Sequence, residues 1–194
     1  KKAKQLALDN GYKKPVFCMP FALNIRNPVN IDVTPKEISF LVTGSMTERA
    51  RDYFSLLNIF EKIWDNGLEN VSLTVLTSPK TSYGFKVFEE MQRLEGKGYP
   101  IKSFSGWISE EEFVDHSSRA DFIIAPIRKE YYGAGEITSV EVESVRMGIL
   151  AFYPDWYYVD PDRLEISVQY SSFSHLYELV MDLISDTNQV NKIR

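Results

Sequence analysis

The chain has 194 residues, of which 44% are hydrophobic and 25% charged, and its formal net charge is −5. These proportions are ordinary for a globular protein, and the length suits one sizeable core better than two independent domains. The basic residues are scattered along the sequence, which argues against a nucleic-acid-binding surface.

The sequence carries no signal for a membrane span or for export. No apolar run approaches the roughly 20 residues of a transmembrane helix, and no apolar segment follows the lysines that open the chain. The single cysteine, Cys18, lies in an apolar run and is interpreted as a reduced, buried thiol, from which we expect a cytoplasmic location. Because the chain lacks an initiator methionine, we expect it to belong to a longer protein, whose peripheral association with a membrane stays open.

Predicted strands and helices alternate along the chain. The predicted strands are Val16–Leu23, Glu37–Thr43, Val71–Thr77, Ile101–Phe104, Asp121–Pro126 and Ile149–Tyr153. The predicted helices are Lys1–Asn10, Glu48–Asn66, Phe85–Leu94, Glu110–Ser118, Ser139–Met147 and Phe173–Ile184. Continuous apolar strands that alternate with helices predict a Rossmann-like α/β fold, in which a parallel sheet carries helices on both faces.

The loops at the carboxyl ends of the strands are where ligands bind in such sheets. The most informative loop joins the strand that ends at Pro126 to the helix that begins at Ser139. Gly133 and Gly135 let its backbone approach a ligand closely, and the free amides at the start of the helix, near Thr138 and Ser139, suit a phosphate. The loop therefore predicts a phosphate site.

Two glutamates of this helix have different predicted roles. Thr138-x-x-Glu141 matches a capping box, so Glu141 is interpreted as a structural residue that closes the start of the helix. Glu143 lies about one turn into the helix, past any capping role, and is either a ligand-binding carboxylate or a solvated helix residue.

A second candidate segment opens with Gly44, after a buried strand. It leads into a helix predicted to carry Arg49 and Arg51 in its first turn, where two cations oppose the helix dipole. The pair indicates a nearby anion, unless both arginines face solvent and pair with Glu48 and Asp52.

The sequence offers no convincing metal site. Its two histidines, His116 and His175, are far apart and have no cysteine neighbours. Asp160-Pro161-Asp162 superficially matches a metal-binding Asp-x-Asp motif, but a proline between two aspartates is interpreted as a turn. We therefore expect neither a metal nor another cofactor.

Three segments in a fixed order resemble the donor domain of retaining GT-B glycosyltransferases of the group 1, or family 4, type. They are Phe104 to Glu112 (FSGWISEEE), Ala120 to Pro126 (ADFIIAP) and Glu143 to Ala151 (ESVRMGILA), with a glycine-containing loop before the last. The resemblance covers about residues 15–186 and implies one half of a GT-B fold. Residues 1–35 would then be an interdomain linker and edge segment, and residues 36–194 a nucleotide-sugar donor-binding domain.

The resemblance implies roles for the candidate residues. Glu143 matches, by its spacing to Gly148, the glutamate that binds the ribose hydroxyls in that family, and backbone near Ile108 would contact the base. The family's other glutamate, which contacts the donor sugar, would fall on Gly135, where the adjacent Glu136 could replace it.

A basic pair that follows the first strand in the family is altered here. Ser45 stands where an arginine is common, Arg49 resembles the second basic residue, and Arg51 could compensate for the first. The residues implied to surround the diphosphate are Gly44, Arg49, Arg51, Gly133, Gly135, Thr138 and Ser139.

The implied activity is transfer of a sugar from a UDP- or GDP-linked donor to an acceptor, without a metal and with retention of configuration, in polysaccharide biosynthesis. The acceptor would bind in a preceding domain that this chain lacks, so the fragment alone is expected to be inactive. Two alternatives remain open: a nucleotide-sugar epimerase of the same architecture, and a degenerate donor domain kept as a binding module. The changes at Gly135 and Ser45 favour the second.

Overall fold

The computed structural model describes residues 37–132, 137–159 and 167–185. The predicted helix over residues 1–10, the predicted strand over residues 16–23 and the linker assigned to residues 1–35 lie outside the described residues, as do Gly133, Gly135 and Glu136.

The described residues form six strands and five helices. The strands are β1 (Ile38–Thr43), β2 (Val71–Leu76), β3 (Ile101–Lys102), β4 (Phe122–Ile124), β5 (Leu150–Pro154) and β6 (Ser167–Tyr170). The helices are α1 (Tyr53–Asp65), α2 (Ser82–Gly96), α3 (Glu110–Ser118), α4 (Ser139–Met147) and α5 (Phe173–Ser185). All neighbouring strands pair in parallel, in the order β3-β2-β1-β4-β5-β6. This sheet confirms the predicted Rossmann-like α/β fold.

Helices cover both faces of the sheet because its central strands are apolar on both sides. In β1, Phe40 and Val42 belong to one hydrophobic cluster, whereas Leu41 between them belongs to the other. The first cluster includes buried residues of α1, α2 and α5. The second includes Val140 of α4, with Phe113 of α3 packed against it. The two-faced arrangement predicted from the sequence is therefore confirmed.

The sequence predicts that helix α1 begins at Glu48, whereas in the structure it begins at Tyr53. The Asp52 side chain caps the helix by accepting a hydrogen bond from the Ser55 backbone N–H over 3.1 Å. Arg49 and Arg51 therefore precede α1, so the prediction that they oppose its dipole is wrong. The Arg51 side chain is buried against the start of α4, whereas Arg49 lies exposed on the loop that follows β1.

The sequence does not predict β6, which lies at one edge of the sheet. Its Ser167, Val168 and Gln169 are partly or fully exposed, and Tyr170 alone among its four residues is buried. A short edge strand of this kind lacks the apolar run that marks the other strands. The Tyr170 hydroxyl holds it in place by donating to the Ala125 carbonyl, just after β4, over 2.8 Å.

The site region follows from the strand order. The chain adds β2 and β3 on one side of β1, then crosses over and adds β4, β5 and β6 on the other. The strand order therefore reverses between β1 and β4, and the position beyond their carboxyl ends, here called the crevice, is the usual ligand position in such sheets. Within the described ranges, no helix is long and apolar enough to cross a membrane.

Candidate functional site

The loops that follow β1 and β4 are joined through their backbones. Asp52 N–H donates to the Pro126 carbonyl over 2.8 Å, and Arg128 N–H donates to the Ala50 carbonyl over 2.9 Å. Between these two bonds, Arg51 and Ile127 form an isolated antiparallel bridge. The backbone of Arg51 is therefore fixed at the mouth of the crevice before any ligand arrives.

The side chain of Arg51 is buried at the start of α4. Only 2% of the residue is exposed. Its Nη2 donates to Ser139 Oγ over 3.1 Å and, more weakly, to Thr138 Oγ1 over 3.4 Å. Its Cζ lies 5.6 Å from the centroid of the Tyr132 ring. All of these neighbours are uncharged, so within the described ranges they provide no counterion for the guanidinium.

No carboxylate in the described part of the chain forms an ion pair with Arg51, and its Nε has no hydrogen-bond partner there. A buried charge is normally paired, because removing it from water is costly. Here a second positive potential, the amino-terminal end of the α4 dipole, adds to it. Two converging positive groups at the carboxyl end of a parallel sheet are the arrangement that binds a phosphate.

Gly44 makes room for the Arg51 guanidinium. Its φ of +95° lies in the region that favours glycine. A Cβ atom added there would lie 2.2 Å from Arg51 Nη2 and 2.9 Å from Ser139 Oγ. Gly44 is predicted from the sequence to lie next to the ligand, whereas in the structure it lies directly against the ligand-binding candidate Arg51.

Arg49 lies at the surface of the same loop and stacks on an aromatic ring. Its Cζ is 4.6 Å from the centroid of Tyr131, whose ring meets that of Tyr132 edge-on with a centroid distance of 5.0 Å. Each arginine thus contacts one ring of a tyrosine pair that directly precedes residues 133–136. This tyrosine pair is not among the residues predicted from the sequence, although two adjacent tyrosines before a glycine-containing loop are a usable signal.

The alternative in which these arginines pair with Glu48 and Asp52 is wrong. Asp52 Oδ2 pairs instead with Arg128 Nη2 over 3.1 Å. No ion pair joins Arg49 or Arg51 to an acidic residue in the ranges that the structure describes.

The predicted capping box at the start of α4 is also wrong. Thr138 is the N-cap, but its Oγ1 accepts from Val140 N–H over 3.4 Å and not from Glu141 N–H. The backbone N–H of Thr138 donates to the Tyr157 hydroxyl over 3.1 Å, and that hydroxyl donates to Glu141 Oε2 over 2.6 Å. A tyrosine from the loop after β5 thus stands between the two ends of the expected capping box.

Glu143 lies in the second turn of α4, and its side chain is 16% exposed. Its Oε2 is 3.8 Å from Arg146 Nη1, and Arg146 Nη2 is 3.3 Å from Oε1 of Glu110 at the start of α3. A freely solvated helix residue, the alternative interpretation, does not describe this position. The role in ribose binding remains a prediction.

Ile108 is partly buried against the second hydrophobic cluster. The next residue, Ser109, caps α3 in a capping box with Glu112: Ser109 N–H donates to Glu112 Oε2 over 2.9 Å, and Glu112 N–H donates to Ser109 Oγ over 3.2 Å. The backbone that is predicted to contact the base is thus held beside a helix cap.

Two groups of candidate residues fall outside the described ranges. Gly133, Gly135 and Glu136 form one, and the predicted turn at Asp160-Pro161-Asp162 forms the other. Among residues 37–132, 137–159 and 167–185, no cluster of three or more His, Cys, Asp or Glu side chains could hold a metal ion.

Solved structures share this architecture, although no protein-family model and no curated protein matches the sequence. The C-terminal domain of the glycosyl transferase group 1 family protein LpcC from Francisella tularensis matches with a TM-score of 0.59 and 15% identity, over 80% of each chain. Sucrose-phosphate synthase from Thermosynechococcus elongatus matches with a TM-score of 0.58 and 13% identity, over 83% of this chain. An α,α-trehalose 6-phosphate synthase from Burkholderia multivorans matches with a TM-score of 0.61 and 10% identity, over 81% of this chain.

These similarities establish the fold. The chain has the Rossmann-like fold of one half of a GT-B glycosyltransferase, as the sequence resemblance predicted. It spans only 39% of the sucrose-phosphate synthase and 38% of the trehalose 6-phosphate synthase, whereas it spans 80% of the isolated LpcC domain. The LpcC structure, which it matches along most of its length, is thus a single domain.

Proposed function

We propose that this chain is the donor-binding domain of a glycosyltransferase and binds the diphosphate of a UDP- or GDP-linked sugar. One observation carries the proposal: the Arg51 guanidinium is buried at the start of α4 and has no carboxylate partner in the described part of the chain. Its position at the crevice between β1 and β4 is where this fold binds nucleotides.

In this proposal, charge that builds on the departing diphosphate is stabilised by groups already in place. Arg51 and the start of α4 would hold the phosphates, and the exposed Arg49 would approach them from the loop surface. Because these cations are fixed before the bond breaks, they stabilise the transition state more than the ground state. Protein cations would thus neutralise the charge of the departing diphosphate, which a metal ion neutralises in other transferases.

The remaining contacts complete the donor site. Glu143 would accept hydrogen bonds from the ribose hydroxyls, and backbone near Ile108 would contact the base. The acceptor would bind in another domain of a longer protein, with retention at the anomeric carbon. The chain alone would then bind its donor without turning it over.

Calorimetric titration of the 194-residue chain with UDP, GDP and UMP tests this proposal. A diphosphate should bind more tightly than its monophosphate, since it offers a second charged group to the cations. Arg51→Met should weaken diphosphate binding about ten- to a hundredfold, because charge-assisted hydrogen bonds contribute about 1.5–3 kcal/mol.

Arg119→Met is the matched control. It removes one positive charge from an exposed residue that pairs with Asp115 at the far end of α3, so affinity should stay within twofold. Wild-type protein that binds none of the three nucleotides at millimolar concentration would contradict the proposal and favour the degenerate binding module.

A further inference from the structure

Two buried hydrogen bonds, here called the relay, connect Tyr157 to Thr138 and Glu141 at the start of α4. Tyr157 is 4% exposed and Glu141 is 6% exposed. The Tyr157 hydroxyl donates to Glu141 Oε2 over 2.6 Å and accepts from Thr138 N–H over 3.1 Å. A residue of the loop after β5 thus binds both the N-cap and the third residue of α4.

The direction of these bonds is fixed. Burial raises the pKa of the Tyr157 hydroxyl, and its hydrogen bond to Glu141 raises it further, so the hydroxyl stays protonated. Its single proton points at the Glu141 carboxylate, which leaves an oxygen lone pair for Thr138 N–H.

Tyr157 itself is anchored to the sheet. Its N–H donates to the Pro154 carbonyl at the end of β5 over 2.9 Å, and its ring stacks on that of Tyr153 at a centroid distance of 5.4 Å. Gln169 of β6 donates to its carbonyl over 3.3 Å. The relay therefore connects the start of α4 to two strands on the far side of β4.

The relay ends at the proposed anion site. Thr138, whose N–H is held by Tyr157, accepts from Arg51 Nη2 through its own side chain over 3.4 Å. The backbone of Thr138 also sets where Ser139 Oγ meets the same guanidinium. Moving Thr138 would therefore move both hydroxyls that orient Arg51.

We propose that Tyr157 is a positioning residue for the anion site, acting through Thr138 on Arg51, and that Glu141 acts through Tyr157. This inference rests on the proposed diphosphate binding at Arg51. It adds two residues that make no contact with the ligand and yet determine how tightly the diphosphate binds.

Tyr157→Phe tests the inference, with Tyr153→Phe as its matched control. Both variants remove one hydroxyl from a buried, mutually stacked tyrosine of the β5 region, but the Tyr153 hydroxyl contacts Ser144 in the middle of α4, 3.3 Å away. UDP affinity should fall about tenfold in Tyr157→Phe, because the Thr138 N–H loses its partner, and stay within twofold in Tyr153→Phe. Melting temperatures, measured in parallel, report general damage.

A second pair of variants separates positioning from simple loss of stability. Glu141→Gln keeps an oxygen that can accept from Tyr157 and should bind UDP within threefold of wild type, whereas Glu141→Leu removes the acceptor and should lose about tenfold. If Tyr157→Phe does not fold, the difference in UDP affinity between Glu141→Gln and Glu141→Leu tests the inference in its place.

Failure of the inference can be told apart from failure of the proposed function. Equal UDP affinity in Tyr157→Phe and wild type, or an equal loss in Tyr157→Phe and Tyr153→Phe, would overturn the inference, as would an equal loss in Glu141→Gln and Glu141→Leu. Wild-type protein without UDP affinity would instead overturn the proposed function on which the inference rests.

Discussion

At the residue scale, the ribose prediction depends on Glu143, a carboxylate of α4 whose Oε2 lies 3.8 Å from Arg146 Nη1. A carboxylate that accepts bonds from two ribose hydroxyls contributes on the order of 1.5–3 kcal/mol. Glu143→Ala should therefore weaken UDP binding about ten- to a hundredfold in a calorimetric titration. A 2′,3′-dideoxy nucleotide should bind wild type weakly and lose little more in the variant.

Glu110→Ala is the control for this substitution. Glu110 lies near the same arginine, with its Oε1 3.3 Å from Arg146 Nη2, so its loss disturbs Arg146 without removing the predicted ribose ligand. Its UDP affinity should match wild type. Equal affinities in both variants and the wild type would show that Glu143 does not contact the ribose.

Arg51 and the start of α4 show how much of the site could be predicted from the sequence. Arg51 was identifiable because two arginines without an evident partner follow a buried strand. Its burial was not, since the hydroxyls that receive it lie 87 and 88 positions away in the sequence. The capping-box prediction failed for a related reason: the motif is local, whereas Tyr157, which replaces it, comes from another loop.

At the scale of elements, α3 offers the clearest link between a local motif and the predicted base contact. Its capping box joins Ser109 to Glu112 next to Ile108. Ser109→Ala should lower the free energy of unfolding by about 0.5–2 kcal/mol in urea denaturation at neutral pH. Ser118→Ala, at the opposite end of α3, should cost less than about 0.5 kcal/mol, because its hydroxyl only donates to a carbonyl of the same helix.

The contribution of this capping box should depend on pH. Hydrogen bonds from the backbone and side chain of Ser109 lower the pKa of Glu112 below its ordinary value of 4.5. A lowered carboxyl pKa gives stability that is present above the ordinary value and lost as the pH falls through the folded-state value. The difference between wild type and Ser109→Ala should therefore shrink on acidification below about pH 4.5, and a constant difference would contradict this account.

The elements also show where periodicity was informative. The apolar runs predicted β1, β2, β4 and β5, because strands buried on both faces leave a continuous hydrophobic signal. The start of α1 was misplaced because the segment before Asp52 pairs its backbone with residues 126–128, a contact that local helix propensity does not register. Strand β6 was missed because it is short and largely exposed.

At the scale of the whole molecule, the chain should bind nucleotide without a metal. The positive charge at the crevice comes from Arg51 and the start of α4, and the described ranges contain no cluster of metal ligands. UDP affinity measured with excess EDTA should equal that measured with Mg²⁺ or Mn²⁺. Loss of binding in EDTA, restored by Mn²⁺, would show that this expectation is wrong.

A double substitution, Asp160→Asn with Asp162→Asn, is the control for the metal question. These two aspartates lie outside the described residues and are predicted to form a turn around Pro161. The double variant should keep the UDP affinity of wild type whether or not Mn²⁺ is added.

The hydrogen bond between Arg51 and Ser139 joins positions 88 residues apart. Tyr157, which supports this contact by bonding to Thr138, comes later in the sequence than either of them. Contacts of this kind form late, because a long stretch of chain must be ordered before its ends can meet. An anion held at this position consequently recognises the assembled sheet and not a partly folded chain. Such a ligand would lower the unfolding rate while leaving the folding rate nearly unchanged.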